Sequence, residues 1–505
     1  MSRLSKNIIY NLFGQGLLLV LSFISVKYIF KQLGEDALGI IYFTAMMNAV
    51  LCAVLEMGIC SSTVREVSAH FKSEPNYIHD LIRTFSLFYW GAYVFLGVAI
   101  FFLAPVIVEK WINLKTMNMA TATYILRILG IASIVALPKS LYVSLFRGLE
   151  RMEFNNFIDV STTGLQQFGT ILILALGGDL FFVVYWFASC YAFGIFIYVV
   201  ISARFFSLRT LIPGYSFSVI KRNLGFASRM MSISIMATIN SQADKIIISK
   251  LLPIGVVGYY GITYSIASKG QLVTGAVSQA AFPSFSALFK AGDRNRMMSQ
   301  YQKLQDLLCY GIAPLFAAIS FAVIPLFSYM LNKDIARLLF LPTFLLCVGF
   351  YMNGTLTIPY VFSLAVGKPG ITVRMNFYAL FVVLPVTGLL IYFFGLIGAG
   401  LSWVFYHIFA YSYGVPRICS QCLEILVWKW YLHVLKIFTL VGLTYGIAWI
   451  TLDVIGNHSI LLLTLAYISA SIVFLTGSYF MIGKELRGTL FNHLRTLKRK
   501  IVEVM

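Results

Sequence analysis

Charge is scarce in this chain. Asp, Glu, Lys and Arg make up 11% of its 505 residues, where a soluble domain carries about 25%. A soluble globular protein is therefore excluded. Acidic residues are the scarcest: 19 against 38 basic ones, for a net charge of +19. In a soluble protein that excess would suggest nucleic acid. Here the loops are too short for a nucleic-acid module, and the basic residues sit mostly at the ends of apolar runs. No nucleic-acid partner is expected. Histidine is also sparse, with six scattered residues. HExxH, GxSxG, GxxxxGK[ST] and Asp-rich diphosphate motifs are all missing, which argues against an enzyme. The seven cysteines lie mostly inside apolar runs, where they act as small hydrophobes. Cys419-Ser-Gln-Cys422 is a lone CxxC without a second pair or a nearby His, so neither a metal nor a disulfide framework is expected. Long polar stretches are missing as well. The largest link on the predicted outer side, near 109–121, has no room for a catalytic domain.

What is present is apolar. Hydrophobic residues are 59% and aromatics 16%. A helix crossing the ~30 Å hydrocarbon core needs about 20 apolar residues, and about fourteen windows meet that need. They are centred on 8–30, 37–59, 81–108, 122–146, 154–177, 180–203, 224–249, 256–281, 304–330, 336–364, 372–393, 396–416, 431–452 and 459–482. The runs are too long and unbroken for barrel strands, which alternate over about ten residues. The expected class is an all-α integral membrane protein. Arg3 and Lys6 precede the first run without a small-residue cleavage site, so an uncleaved first span is expected.

Lys and Arg set the expected orientation. With the N-terminus in the cytoplasm, the inward links hold Arg65, Lys72, Arg147, Arg151, Arg204, Arg209, Lys221, Arg222, Lys290, Arg294, Arg296, Lys303, Lys368, Arg417 and Lys429. The outward links hold only Lys31, Lys110, Lys115, Lys250, Lys333 and Arg337. Both termini are expected inside. Residues 484–505 alternate basic and apolar side chains at helical spacing, as in a helix lying on the inner leaflet.

A two-helix unit occurs twice. Its first link, Lys31-Gln-Leu-Gly-Glu-Asp-Ala-Leu-Gly39, aligns with Lys250-Leu-Leu-Pro-Ile-Gly-Val-Val-Gly258. Weak internal repeats mark the two halves of many transporters. Between the halves, Pro213-Gly214 is a natural hinge.

Ionisable residues inside the windows carry the functional signal, because each costs roughly 2.5–3.5 kcal/mol at the bilayer centre. The deeper ones are Lys27, Lys139, Asp159, Asp244, Lys245 and Lys269. Asp159 and Lys139 lie at comparable depth on neighbouring spans and are expected to pair. Asp244 and Lys245 are adjacent and point about 100° apart, so they need not pair. Pro138 is expected to kink the fourth span. Tyr264, Ser265, Ser268, Lys269 and Gln271 form one broad helical face. Two readings of that face stay open: a helix seam glued by small polar residues, or the wall of a cationic cavity.

The L-G-x-x-x-x-G link, Arg65, the stretch SLFRGLERMEFNN (Arg147, Gly148, Arg151, Asn155), ADKIIISKLLPIGVVGYYG (Asp244, Gly258, Tyr259), AFPSFSALFKAGDRNRM and AVGKPG together resemble the polysaccharide (O-antigen type) flippases. These belong to the multidrug/oligosaccharidyl-lipid/polysaccharide exporter superfamily. The resemblance implies two pseudo-symmetric six-helix bundles and two added helices. The expected divisions are 1–206, a linker 207–222, 223–418, two helices over 419–483, and the basic tail 484–505. It also implies transport of an undecaprenyl-diphosphate-linked oligosaccharide to the periplasmic leaflet of the bacterial inner membrane, by alternating access of a cationic cavity. Other readings are a multidrug or cation antiporter, a lipid II flippase, and, in another class, an O-antigen polymerase or ligase. Candidate cavity residues are Lys27, Arg65, Lys139, Arg147, Lys245, Tyr264, Lys269 and Gln271. Asp244, Asp159 and Glu56 are candidates for coupling to Na⁺ or H⁺. No cofactor is expected. Implied partners are the lipid-linked glycan, membrane lipids, and a polysaccharide polymerase with its chain-length machinery.

Overall fold

The computed structural model describes residues 3–56, 58–456, 459–483 and 486–488. Apart from 486–488, the expected amphipathic tail over 484–505 lies outside the described residues. In lipid every backbone polar group must be satisfied within its own segment, which favours helix throughout. Among the described residues there is no strand. The helices are α1 (Arg3–Leu55), α2 (Ile59–His70), α3 (Pro75–Lys110), α4 (Met119–Ser133), α5 (Ala136–Gly148), α6 (Met152–Ala175), α7 (Leu180–Phe205), α8 (Leu208–Leu211), α9 (Phe217–Leu251), α10 (Ile254–Ala267), α11 (Gln271–Lys290), α12 (Arg294–Met330), α13 (Lys333–Ala365), α14 (Gly370–Ile418), α15 (Val427–Val441), α16 (Ile447–Ile455) and α17 (Ile460–Met481).

Every predicted window holds helix. Ten segments among the described residues are long and apolar enough to cross a membrane, and the chain is a multi-pass membrane protein. Two of the ten fold back at a glycine. Gly34 (φ 85°) divides α1, and Gly395 (φ 55°) divides α14. Only glycine takes such angles without a Cβ penalty. α6 and α9 fill two further windows. Short polar links supply N-caps: Asn118, Asp179, Asp293 and Asn332 each accept a backbone N–H from the first turn that follows. The fourth window breaks at residues 134–135 rather than bending at Pro138. Pro138 sits in the first turn of α5, where its missing N–H costs nothing.

The chain forms two compact units, Met1–Gly261 and Ile262–Met505, divided inside α10. In the first, α1 packs on α4, α5, α6 and α9, while α2 and α3 also touch α9. Its core holds Phe85, Tyr89, Leu141, Tyr142, Phe146 and Tyr198. The segment holding Pro213-Gly214 is bonded to α3 on either side. Gly214 N donates to the Arg83 carbonyl (3.1 Å), and His79 Nδ1 meets Thr210 Oγ1 at 2.7 Å. In the second unit, α12 packs on α11, α13, α15 and α17, and α13 on α11 and α14.

Candidate functional site

In the first unit, the two links of the internal repeat meet. A Cβ added to Gly39 would lie 2.2 Å from the Ile254 carbonyl oxygen, and one added to Gly258 would lie 3.0 Å from the Gly39 nitrogen. Beside this crossing, Asp36 is buried. Its Oδ2 accepts the backbone N–H groups of Lys115 (2.9 Å), Thr116 (2.7 Å) and Met117 (2.9 Å), and the Thr116 hydroxyl (3.1 Å). Tyr259 donates to Glu35 (2.8 Å), which also lies 3.5 Å from the Lys115 ammonium. Trp111 donates to Ser249 (3.0 Å), and Asn113 to the Lys250 carbonyl (3.1 Å). The end of α9, the start of α10 and the link after α3 are thus clasped to the Gly34 bend of α1.

A second clasp closes the opposite ends of α3 and α9. Arg222 lies between Glu74 (2.8 Å) and Glu66 (3.6 Å) and stacks 3.9 Å over the Tyr77 ring. Arg65 pairs with Glu66, donates to Asn223 (3.3 Å) and lies 4.1 Å over Phe226. Tyr77 donates to Glu66 (3.1 Å), and Asn223 to Tyr77 (2.9 Å). Hydrogen bonding from Arg222 holds the Glu74 carboxyl below the usual carboxylate range.

The other predicted charges fall in distinct places. Lys139 pairs with Asp159 at 2.7 Å, and Tyr198 donates to the same carboxylate (3.1 Å). Both side chains of the pair remain partly exposed, at 33% and 46%. Asp244 and Lys245 do meet, at 3.4 Å, because the flexible lysine stem turns back along the helix. Lys245 also donates to the Ser241 carbonyl (2.8 Å), and Tyr260 donates to the second Asp244 oxygen. Lys27 is half-buried in α1. Glu56 sits past the end of α1, in the turn before α2. Arg147 is exposed in the last turn of α5.

Lys269, Tyr264 and Gln271 belong to the second unit. The eighth window is not one continuous helix: a 3₁₀ turn over Ser268–Gly270 separates α10 from α11. Such a turn brings i and i+3 into line and marks a point where the helix can hinge. Lys269 is exposed in it. Tyr264 packs on Phe350 and Trp403, with ring centroids 5.3 and 5.5 Å away. It is therefore part of an aromatic cluster rather than of one polar face. Asp306, buried on α12, accepts from the Gly483 nitrogen (2.8 Å) and lies 3.3 Å from His433 Nε2.

Two cavities have mixed polar and apolar linings and, among the described residues, no Asp, Glu, Lys or Arg. In the first unit, Ser22, Ser25, Thr44, Ser133, Gln166 and Tyr191 help line about 250 Å³. In the second, α11, α13 and α14 line about 350 Å³ beside Asn353, Asn376, Tyr406 and His407. No group of three or more His, Cys, Asp or Glu among the described residues is placed to hold a metal. Cys419 and Cys422 are buried free thiols in a π-turn.

Residues 4–289 match the family described as polysaccharide biosynthesis protein. The chain belongs to that family. A Shigella flexneri relative, named "Putative O-antigen transporter", is 20% identical to this chain over 411 residues, covering 79% of this chain and 93% of the relative. Among solved structures, the lipid II flippase MurJ in an inward closed conformation has a TM-score of 0.69 at 14% identity, covering 94% of this chain and 98% of its own. An inward-facing multidrug resistance MATE family transporter of the MOP superfamily has a TM-score of 0.65 at 14% identity, covering 80% and 95%. The fold is that of these transporters and flippases, and none of the three is an enzyme.

Sequence reasoning missed Asp36, Glu66, Asp306 and His433. Asp36 lay in view, inside the repeat link, but its partners are far along the chain. The acidic residues between α1 and α3 had one usable signal: Glu66 and His70 stand four residues apart beside Arg65.

Proposed function

We propose that the protein is a flippase that moves an undecaprenyl-diphosphate-linked oligosaccharide from the cytoplasmic to the periplasmic leaflet of a bacterial inner membrane. Membership of the polysaccharide biosynthesis family carries this reading, because it is joined to a transporter fold in which four of the six charges read as deepest in the spans, Lys27, Lys139, Lys245 and Lys269, are lysines. A diphosphate cannot cross lipid unaided, and ammonium groups replace its hydration with charge-assisted hydrogen bonds. Lys27 and Lys269 are the proposed diphosphate contacts, and Lys139, Lys245, Arg65, Arg147, Tyr264 and Gln271 are the further candidates for the transport path. The lysines favour an anionic cargo over the cations of a multidrug antiporter. The cargo crosses by alternating access, with both termini in the cytoplasm. A polysaccharide polymerase and its chain-length machinery take up the product.

Deletion of the protein should cause one lipid-linked glycan to accumulate inside the cell, and mass spectrometry of the lipid fraction identifies it. Lys27→Ala and Lys269→Ala should each reduce surface polysaccharide by tenfold or more while the protein still inserts. Normal surface polysaccharide in both would overturn the diphosphate assignment. Asp244 is the proposed coupling residue for Na⁺ or H⁺, with Asp159 and Glu56 as the other candidates. Transport by Asp244→Asn that follows wild type across external pH and Na⁺ would remove that role.

A further inference from the structure

The cavity between α11, α13 and α14 has a chemistry that the lysines do not share. Among the described residues its lining contains no Asp, Glu, Lys or Arg. Thr274, Ser278, Asn353, Thr357, Thr372 and Asn376 share its wall with apolar Leu356, Ile371, Met375 and Ile418. One of its side chains is held in an unusual state. His407 is completely buried, and its Nδ1 lies 2.7 Å from the Trp403 carbonyl oxygen. A carbonyl only accepts, so Nδ1 carries the proton. In the neutral ring Nε2 is then an acceptor, and it has no partner among the described residues. Leaving such a group unsatisfied costs as much as the hydrogen bond it forgoes, or more.

The ring itself cannot swing away to find a partner. It stacks on Trp403 at 5.7 Å and meets the edge of Tyr406 at 5.0 Å. Tyr406 in turn donates to Asn376 Oδ1 (3.0 Å), which fixes the orientation of that amide. The lining therefore holds an oriented amide, hydroxyls, two tyrosines, Tyr360 and Tyr406, and the residue that carries the orphaned nitrogen.

We propose that this cavity binds one uncharged sugar unit of the cargo, with His407 Nε2 accepting a sugar hydroxyl. The inference rests on the flippase reading and assigns a second contact region to it, separate from the lysines. Each alternative fits less well. A phosphate or uronate would find no cation, and an organic cation would find no carboxylate. Hard ions such as Na⁺ prefer oxygen donors to an imidazole nitrogen. A hydrocarbon tail suits the apolar part of the wall but offers His407 Nε2 no donor. A polyol has apolar ring faces for the one and hydroxyls for the other. The volume, about 350 Å³, would hold roughly ten waters at ~30 Å³ each, enough for one pyranose ring and a little water.

The test uses the full-length protein in a host strain lacking its own flippase and supplied with a lipid-linked glycan made only of uncharged sugars. Surface glycan is measured per unit of inserted protein. His407→Phe keeps the ring shape and the stacking but removes the acceptor. Its export should fall about tenfold, the scale of one buried hydrogen bond. His407→Gln restores a carbonyl oxygen near the Nε2 position and should stay within about twofold of wild type. If His407→Phe inserts poorly, Thr372→Val, which removes one lining hydroxyl, takes its place and should lower export several-fold. Wild-type export with His407→Phe (or Thr372→Val in its place) at the same level would overturn the sugar site and leave the flippase reading standing. Equal loss in His407→Phe and His407→Gln would make His407 a structural residue and also overturn it. A defect in His407→Phe that disappears at high external Na⁺ would replace the sugar site with a cation site. No export by the wild-type protein itself would instead be a failure of the flippase reading.

Discussion

At the scale of single residues, the structure places its most committed acid where no lipid-facing role is available. Asp36 receives three backbone N–H groups and a hydroxyl on one oxygen. Truncating it leaves those amides buried without an acceptor, a loss of about 2–4 kcal/mol by the usual cost of unmade bonds to a charged group. Asp36→Ala should therefore lower the thermal unfolding midpoint of the purified protein by several degrees or more, whereas Asp36→Asn should recover part of the loss. Glu74 makes a different prediction. Its folded pKa is depressed by Arg222. A depressed carboxyl contributes stability above its unfolded pKa and loses it as pH falls through the folded one. The stability difference between wild type and Glu74→Gln should thus be present at about pH 7 to about pH 9, include a contribution from His70, 2.9 Å from the same carboxylate, wherever that ring is charged, and be lost below about pH 4. Thermal denaturation across that range checks it. A difference undiminished at about pH 3 would contradict the pairing.

At the scale of elements, hydropathy made the helices legible because a bilayer leaves no other way to bury a backbone. The Lys139–Asp159 pair was legible for the same reason, since two opposite charges at one depth on neighbouring spans have few other partners. The Ser268–Gly270 break was not, because it interrupts an apolar run that a hydropathy window averages over, whereas Gly34 and Gly395 fall between predicted windows. The clasps were illegible because Asp36 meets residues 115–117 and Arg222 meets Glu66 and Glu74. Short-range pattern carries no information about such distant pairs. His407 is, in the sequence, one ionisable residue among several inside the apolar windows; its orphaned nitrogen exists only once α14 is packed. An element-level prediction follows from Gly39. Its missing side chain lets α10 approach within 2.2 Å of where a Cβ would stand. Gly39→Val must push backbone against backbone, so the amount of folded protein in membranes should fall sharply, and Gly39→Ala should fall less. Quantitative blotting after detergent extraction, with size-exclusion profiles, measures both.

At the scale of the whole molecule, the Lys and Arg asymmetry predicts that all even-numbered links lie on the cytoplasmic side. A fluorescent protein fused after Met505 should light up. Alkaline phosphatase inserted near 113–117 or near 331–333 should be active, and inserted near 291–293 inactive. Activity in the last position would reverse the predicted orientation. The relation to MATE and MurJ transporters fixes the architecture at 14% identity. At that distance the fold persists through helix packing, while the polar residues that choose a cargo are free to change.

The backbone crossing of Gly39 and Gly258 also bears on how the protein is made. The second glycine leaves the ribosome about two hundred residues after the first, and synthesis runs at about 5–20 residues per second. For roughly 10–40 s the newly inserted first helices hold an open seam, shaped for a partner that does not yet exist. The crossing cannot nucleate assembly; it can only complete it. A chain stalled before residue 254 is left with that seam uncovered, and membrane quality control has a defined surface by which to tell an unfinished copy from a finished one.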